Sequence, residues 1–408
     1  MLNGVHLVDF GNHRNTRVTF GRMTALVGQN GSGKTTVMRA IQQLALAVDA
    51  VPRTPGSTSA FKRRGGEKVR LSVSWSNPGE EIDYGAAVAS GCAFFERRRH
   101  RKETAAWIPE AGREPTDGEI EELERKRRHA LFENDDPSEM PAGKTFYREN
   151  RWIGWRSRYF KTSASMLNRP AFVDPETVGL DESGSNLAWA LASLMTEYPE
   201  RFARIVEALR EVVPVVKRIR SRPIAMTRTE KQTVTINDHE RTFEEERTVP
   251  GQELLFDMRS GDNLPASMVS EGTLVVLAVL TLVHGAEADL IMLDDVELGL
   301  HPKAQRDLIR QLRRIQETHP KLQIILSTHS PYVVDEMQPE EVWVFAPDAE
   351  GCAVVHRLDE HPNAKRAMEV LTTGEFWSAE GESWVVDASR AQGEDTRTAR
   401  VAEEPPAA

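Results

Sequence analysis

Apolar positions fall in short clusters along the chain, and their spacing changes from one cluster to the next. Residues 5–10 and 17–27 read as short strands. The second runs into a glycine-rich turn and then "TVMRAIQQLALAV", whose apolar spacing predicts a helix. Residues 51–68, rich in Pro, Gly and Ser, predict a loop, and "VRLSVSW" (69–75) alternates like a half-buried strand. Residues 186–213 predict a helical stretch broken near Pro199, and "KQTVTIN" and "ELLFDM" read as further strands. After "VSEGT" comes a continuous apolar run, "LVVLAVLTLV", which predicts a buried helix. Then follow the buried strand "LIML", a helix "PKAQRDLIRQLRRIQETH", the strand "QIIL", and "EVWVFA" and "CAVVHRL", which close the sheet. Strands alternating with helices after a glycine turn predict an α/β fold with a mostly parallel core sheet. The intervening short strands predict a second, antiparallel β-lobe.

Composition divides this pattern. Residues 1–345 read as one head of two lobes. Within it, residues 96–152 carry the basic runs "RRRHRK" and "RKRRH" around "EIEELE" and predict a charged, helical insertion. Residues 346–387 predict a C-terminal strand and helical cap, and 388–408, small, charged and proline-containing, a disordered tail. The net charge of -10 excludes a general attraction to nucleic acid. Such binding would use local patches, Arg97, Arg98, Arg99, Arg101 and Lys102 or Arg125 to Arg128. Two cysteines, Cys92 and Cys352, give neither a disulfide framework nor a metal spacing, which suits a reducing cytoplasm. No apolar run reaches the length of a membrane span, and the start reads as a strand rather than a leader.

Residues 28–35, "GQNGSGKT", match G-x-x-x-x-G-K-[ST] between a strand and a helix. Gly28 and Gly33 allow backbone conformations closed to other residues, so the amides of Asn30, Gly31, Ser32, Gly33 and Lys34 can turn toward phosphate. Lys34 would reach the β- and γ-phosphates, Thr35 would ligate Mg²⁺, and Thr36 extends the site at the helix N-terminus. "LIMLDDVELGLHP" (290–302) ends a buried strand in two acids. Asp294 is the candidate Mg²⁺ ligand and Asp295 the group pointing at the attacking water, unless the pair is an acidic turn before the helix that starts at Pro302. "QIILSTHSP" also ends in polar residues, with His329 a candidate for the γ-phosphate or the water. In "VSEGTL", Ser270 and Gly272 open the buried helix. They read either as an anion site, with Gly272 admitting phosphate to the backbone, or as a plain serine N-cap.

Together "GQNGSGKTT", "VSEGTL", "LIMLDDVELGLHP" and "STHSP", in that order over residues 1 to about 345, resemble the ABC-type ATPase heads of the RecF, SMC and OLD group. These are P-loop NTPases often classed as AAA family ATPases. The resemblance implies ATP and Mg²⁺ as cofactors, and a homodimer or higher homo-oligomer closed around ATP with Ser270 and Gly272 acting in trans. It places His301 in the loop that crosses the dimer interface. The signature has the SxGT form, unlike that of membrane transporters.

Three features depart from the group. The usual Asp-Glu pair is Asp294-Asp295, with Glu297 as an assisting carboxylate. No glutamine can be assigned as the Mg²⁺ sensor between the lobes, since Gln29 lies in the phosphate loop and Gln42 and Gln43 on the first helix. The chain has neither a long heptad region nor room after His329 for a nuclease domain. Such a bare head is similar to the ATPase subunits of bacterial anti-phage systems of the Septu or PARIS type, which implies a separate effector, a nuclease or toxin. The alternatives are a RecF-like DNA-repair ATPase, binding nucleic acid through the basic insertion, and a nucleotide-locked scaffold with negligible turnover.

Overall fold

The computed structural model describes residues 1–49, 69–77, 80–89, 92–99, 157–161, 164–173, 179–236, 239–285 and 288–390. They form two compact units. The first comprises residues 1–159, 288–293 and 319–408; the second, residues 160–287 and 294–318.

In the first unit, β1 (Leu2–Phe10), β2 (His13–Thr19), β4 (Val69–Asn77), β5 (Glu80–Ala89) and β6 (Cys92–Arg99) form an antiparallel sheet in the order β2-β1-β4-β5-β6. A second sheet has the order β15-β14-β3-β13-β12-β7, with β3 at Met23–Gly28, β7 at Ser157–Phe160, β12 at Leu290–Leu293, β13 at Gln323–Thr328, β14 at Val342–Pro347 and β15 at Ala353–Arg357. β12, β13, β3 and β14 run parallel and β15 returns antiparallel. Every residue of β3, β12 and β13 is buried, as expected of parallel strands covered on both faces. Helix α1 (Lys34–Asp49) contributes Val37, Met38 and Ile41 to a core shared with Leu7, Phe10, Val18, Leu26, Met292, Ile325 and Phe345. The buried Gln323 side chain accepts from Leu2 N at 2.8 Å and donates to Leu2 O and Gly21 O, both at 2.7 Å. One amide thus satisfies three main-chain groups where the two sheets meet.

In the second unit β8 (Ala171–Phe172), β9 (Val216–Ile236), β10 (His239–Met258) and β11 (Gly261–Pro265) are antiparallel around β10. Helices α2 (Leu187–Glu197), α3 (Pro199–Val212), α4 (Glu271–Gly285) and α5 (Pro302–Thr318) accompany them. α4 is buried at every position from Thr273 to Val283, so it has no polar face, as its continuous apolar run predicts. The break near Pro199 is real, and Pro199 is the first residue of α3, where its missing N–H costs nothing.

Three expectations change. "KQTVTIN" and "ELLFDM" are parts of one long hairpin whose register runs unbroken from His239↔Ile236 to Asp257↔Arg218. Its Thr/Arg/Glu-rich middle lacks the apolar alternation by which strands announce themselves. Glu96–Arg99, expected to open a helical insertion, are the end of β6, with Arg97 opposite Tyr84 and Arg99 opposite Ile82. The remainder of the insertion and the 51–68 loop lie outside the described residues. Residues 388–390, expected to be disordered, continue a helix from 383; 391–408 lie outside the described residues.

Candidate functional site

The phosphate loop uses backbone that L side chains rarely adopt. Gly28 ends β3 at φ +134°, and a Cβ there would lie 2.1 Å from the Phe345 carbonyl oxygen of β14. Gly33 has φ +108°, and its Cβ would lie 2.6 Å from His13 Nε2. Gly31, at φ +78°, faces open space. Asn30 and Gly31 are exposed, Thr35 and Thr36 half-buried, and Lys34 is only 5% exposed. The Lys34 ammonium folds back on the loop, donating to Gly28 O at 2.7 Å and Gln29 O at 2.9 Å. Ser32 is buried, and its Oγ has no hydrogen-bond partner among the described residues. A hydroxyl held dry and unsatisfied inside a cradle of glycines, at the start of a sixteen-residue helix, fits an anion that supplies the missing acceptor.

Two residues that sequence reading missed hold this loop in shape. Asn12 Nδ2 donates to Gly31 O at 3.0 Å. His13 is fully buried; its Nε2 lies 3.1 Å from Gly33 O and its Nδ1 3.0 Å from Thr16 Oγ1. Because a carbonyl only accepts, Nε2 carries the proton and Nδ1 accepts from the threonine. Burial lowers the His13 pKa to about 4, against the opposing hydrogen bond to Gly33, so the ring is neutral at pH 7. The unfolded chain takes up this proton near pH 6.5 and the folded one only near 4, so the stability contribution is complete above 6.5 and is lost as pH falls toward 4. The loss should reach about 3 kcal/mol. Urea unfolding of wild type and His13→Gln between pH 7 and 4.5 checks this: the stability advantage of wild type should shrink as pH falls. An advantage independent of pH would show that His13 is not held neutral.

The acids follow β12. Asp294 N donates to Phe160 O at 2.9 Å, and the Asp294 side chain is fully buried. Asp295 has φ +54°, a left-handed backbone that short Asp and Asn tolerate better than other side chains. Lys161 Nζ lies 2.7 Å from Asp294 Oδ2 and 3.1 Å from Asp295 Oδ2. Burial lowers the Lys161 pKa, but its hydrogen bonds and charge contacts with the two aspartates outweigh that and leave it raised. Glu297 is half-buried in the turn that follows, where its carbonyl accepts from Leu300 N at 3.0 Å. His329 is half-buried directly after β13. β12 and β13 end side by side, with Leu293 opposite Leu326, and Thr328 of β13 is level with Val27 of β3. β3, β12 and β13 therefore end at the same edge of the sheet, the carboxyl ends of its parallel strands.

The Ser270 hydroxyl bonds Thr273 Oγ1 at 2.7 Å and accepts from Thr273 N at 3.4 Å, so within one chain it is the N-cap of α4. The glycine two residues on has a packing reason: a Cβ on Gly272 would lie 2.7 Å from the Gly299 carbonyl. The loop "LGLHP" thus rests directly on the helix start. His301 is exposed in it, its Nδ1 accepting from Lys303 N at 3.3 Å. Gln29 is exposed, and Gln42 and Gln43 sit half-buried on α1. Among the described residues, Lys161 faces the acid pair. Nothing in its surroundings, "RYFKT", marks it out before the strand pairing is known.

Comparison with known proteins agrees with this architecture. The family model described as "AAA domain, putative AbiEii toxin, Type IV TA system" matches residues 23–335. The chain is 36% identical over 56 residues to a "Retron Vc95 probable ATPase" of Vibrio cholerae serotype O1 biovar El Tor, covering 14% of this chain and 10% of that protein. It is 32% identical over 87 residues to the "Septu protein PtuA" of Bacillus thuringiensis, covering 21% and 20%. The matches thus span a fifth or less of these curated relatives' length. Among solved structures, an Smc head bound to the C-terminal winged-helix domain of ScpA superposes with TM-score 0.50 at 13% identity, over 90% of this chain and 99% of that one; the likeness is one of fold. Among the described residues no helix is long and apolar enough to cross a membrane.

Proposed function

The chain belongs to the AAA-domain family described as "putative AbiEii toxin, Type IV TA system", and from that premise we propose that it binds and hydrolyses ATP, dimerises around it, and controls a separate effector in anti-phage defence. The phosphate loop carries the reading, because a buried, unsatisfied Ser32 hydroxyl in a glycine cradle is costly unless a ligand completes it. In this reading the loop amides and Lys34 hold the phosphates. Asp295 takes the proton of the attacking water, with Glu297 assisting, and His329 faces the γ-phosphate. Among the described residues no group of three or more His, Cys, Asp or Glu side chains is placed to hold a metal. One or two carboxylates, a hydroxyl and the nucleotide's own phosphates are the set magnesium accepts, and Thr35 and Asp294 supply the protein's share. Bound there, Mg²⁺ would neutralise charge on the β- and γ-phosphates.

The exposed helix start that Ser270 caps supports a role for a second copy. Met268, 72% exposed, lies two residues before Ser270, and Leu298, 50% exposed, is the residue before Gly299, whose carbonyl Gly272 meets. Defence is favoured over DNA repair by the likeness to a retron ATPase and a Septu protein. Two experiments test the proposal. Light scattering should show mass rising on Mg-ATP for wild type but not for Ser270→Asp, which keeps the N-cap yet repels phosphate. A Ser270→Asp protein that still assembles would remove the in-trans role. Capture of partners from the host with Mg-ATP should recover a stoichiometric nuclease-like or toxin-like protein; recovery of DNA with repair factors instead would favour the RecF-like alternative.

A further inference from the structure

Lys161 has no place in the reading above, yet it pairs with both acids, at 2.7 Å from Asp294 Oδ2 and 3.1 Å from Asp295 Oδ2. Its backbone is fixed, because Lys161 N donates to Glu182 O at 2.9 Å, and Phe160, the residue before it, accepts from Asp294 N at 2.9 Å. The lysine stem therefore starts one residue from the strand that pairs with β12, and the ammonium reaches both carboxylates. Asp294 is fully buried, and a buried carboxylate requires a cation or several donors to remain ionised. Lys161 itself is 40% exposed on a flexible stem, so it can withdraw where Asp294 cannot.

Resting on the assignment of Asp294 to magnesium, we propose that Lys161 is an internal counter-ion that competes with the divalent cation for the Asp294–Asp295 pair. In the nucleotide-free protein the ammonium holds the carboxylates ionised and aimed, and it keeps free divalent cations out. An ammonium 2.7 Å from Asp294 Oδ2 and a dication on the same oxygen repel each other, and the Asp294 side chain they would share is fully buried. Cation entry therefore requires Lys161 to leave Asp294. ATP favours that exchange, since its phosphates add ligands to the metal and negative charge to the surroundings. The device makes divalent binding conditional on nucleotide.

The test uses Mn²⁺ as the probe, read by electron paramagnetic resonance on the full chain without nucleotide. Wild type should bind Mn²⁺ weakly, Lys161→Met at least about 10-fold more tightly, and Lys161→Arg like wild type. Adding Asp294→Asn to Lys161→Met should abolish the gain, which locates the cation. Thermal melting gives an independent readout: Lys161→Met should melt below wild type in EDTA and recover with Mn²⁺, while wild type responds little. Should Lys161→Met not fold, Lys161→Gln, which can still donate to Asp294, takes its place with the same expected gain. Equal Mn²⁺ affinity in wild type and the neutral variant would overturn the proposal. Phosphate release by wild type reports on the ATPase reading separately. A protein that releases no phosphate yet shows the Mn²⁺ difference would lose that reading and keep the counter-ion.

Discussion

Asp295→Asn should slow phosphate release on the order of 10³-fold while Mg-ATP binding persists. The substitution suits the question because it changes little else. Asn has the volume of Asp and is among the few residues at ease at φ +54°, so the backbone carries no new strain. The carboxylate is lost, and with it the capacity to accept a proton from water. The contact with Lys161, at 3.1 Å, weakens from an ion pair to a hydrogen bond, but Asp294 at 2.7 Å keeps the ammonium in place. Binding of a fluorescent ATP analogue should therefore stay within a few-fold of wild type, and the ATP-bound assembly should accumulate because its exit step is blocked. The counterpart is Lys34→Met, which keeps the aliphatic stem in its buried position but removes the charge, and which should lose nucleotide binding itself. Turnover that survives Asp295→Asn would move the proton acceptor to Glu297 or His329. Negligible turnover already in wild type would instead favour the nucleotide-locked scaffold.

What could be read from the sequence and what could not divide along a physical line. The phosphate loop, the acids after "LIML" and the histidine after "QIILST" were legible because each combines a buried strand with an abrupt polar end, a pattern costly to maintain without use. The wholly buried α4 was legible because eleven consecutive positions, Thr273 to Val283, carry apolar side chains or threonine. The long hairpin was not, since its strands satisfy each other's backbone with little apolar alternation to show it. His13, Asn12 and Lys161 were hidden for a different reason. Each acts on a partner far along the chain: His13 on Gly33, Asn12 on Gly31, Lys161 on residues 133 and 134 positions away. Only strand pairing brings them together, and a lone polar residue beside a strand carries no periodic signal. Gly272 shows the reverse case. The sequence suggests a phosphate there, and within one chain the space on that side belongs to the Gly299 carbonyl. A helix start can present Ser270 and its amides to a second molecule while its glycine serves packing behind.

Gly28→Ala should cost at least about 4 kcal/mol of stability, and Gly31→Ala about 1 kcal/mol, although both are single methyl additions in one loop. At φ +134° Gly28 occupies a region essentially closed to L side chains. Its new Cβ would also press to 2.1 Å from the Phe345 carbonyl oxygen. That neighbour is backbone, paired with Gly28 across the β3–β14 ladder, so no rotamer change relieves the contact. The strand ends must separate, and Phe345 belongs to the core that also holds Leu26, Met38 and Ile325. At Gly31 the φ of +78° is left-handed too, but no atom lies within 4 Å of the added methyl, so only the backbone preference is lost. Against a total stability of about 5–15 kcal/mol for a domain, the first change should remove much of the folded population at 37 °C and the second very little. Urea unfolding of the two variants beside wild type reads the difference directly. The functional order should be the opposite among molecules that remain folded. Gly31 leaves the open side of the loop free, so its methyl would stand where a phosphate approaches, and Gly31→Ala should weaken ATP binding while the fold stays intact. If the two alanines cost the same stability, the Gly28–Phe345 approach does not shape this loop, and its turn must be set from the His13 side.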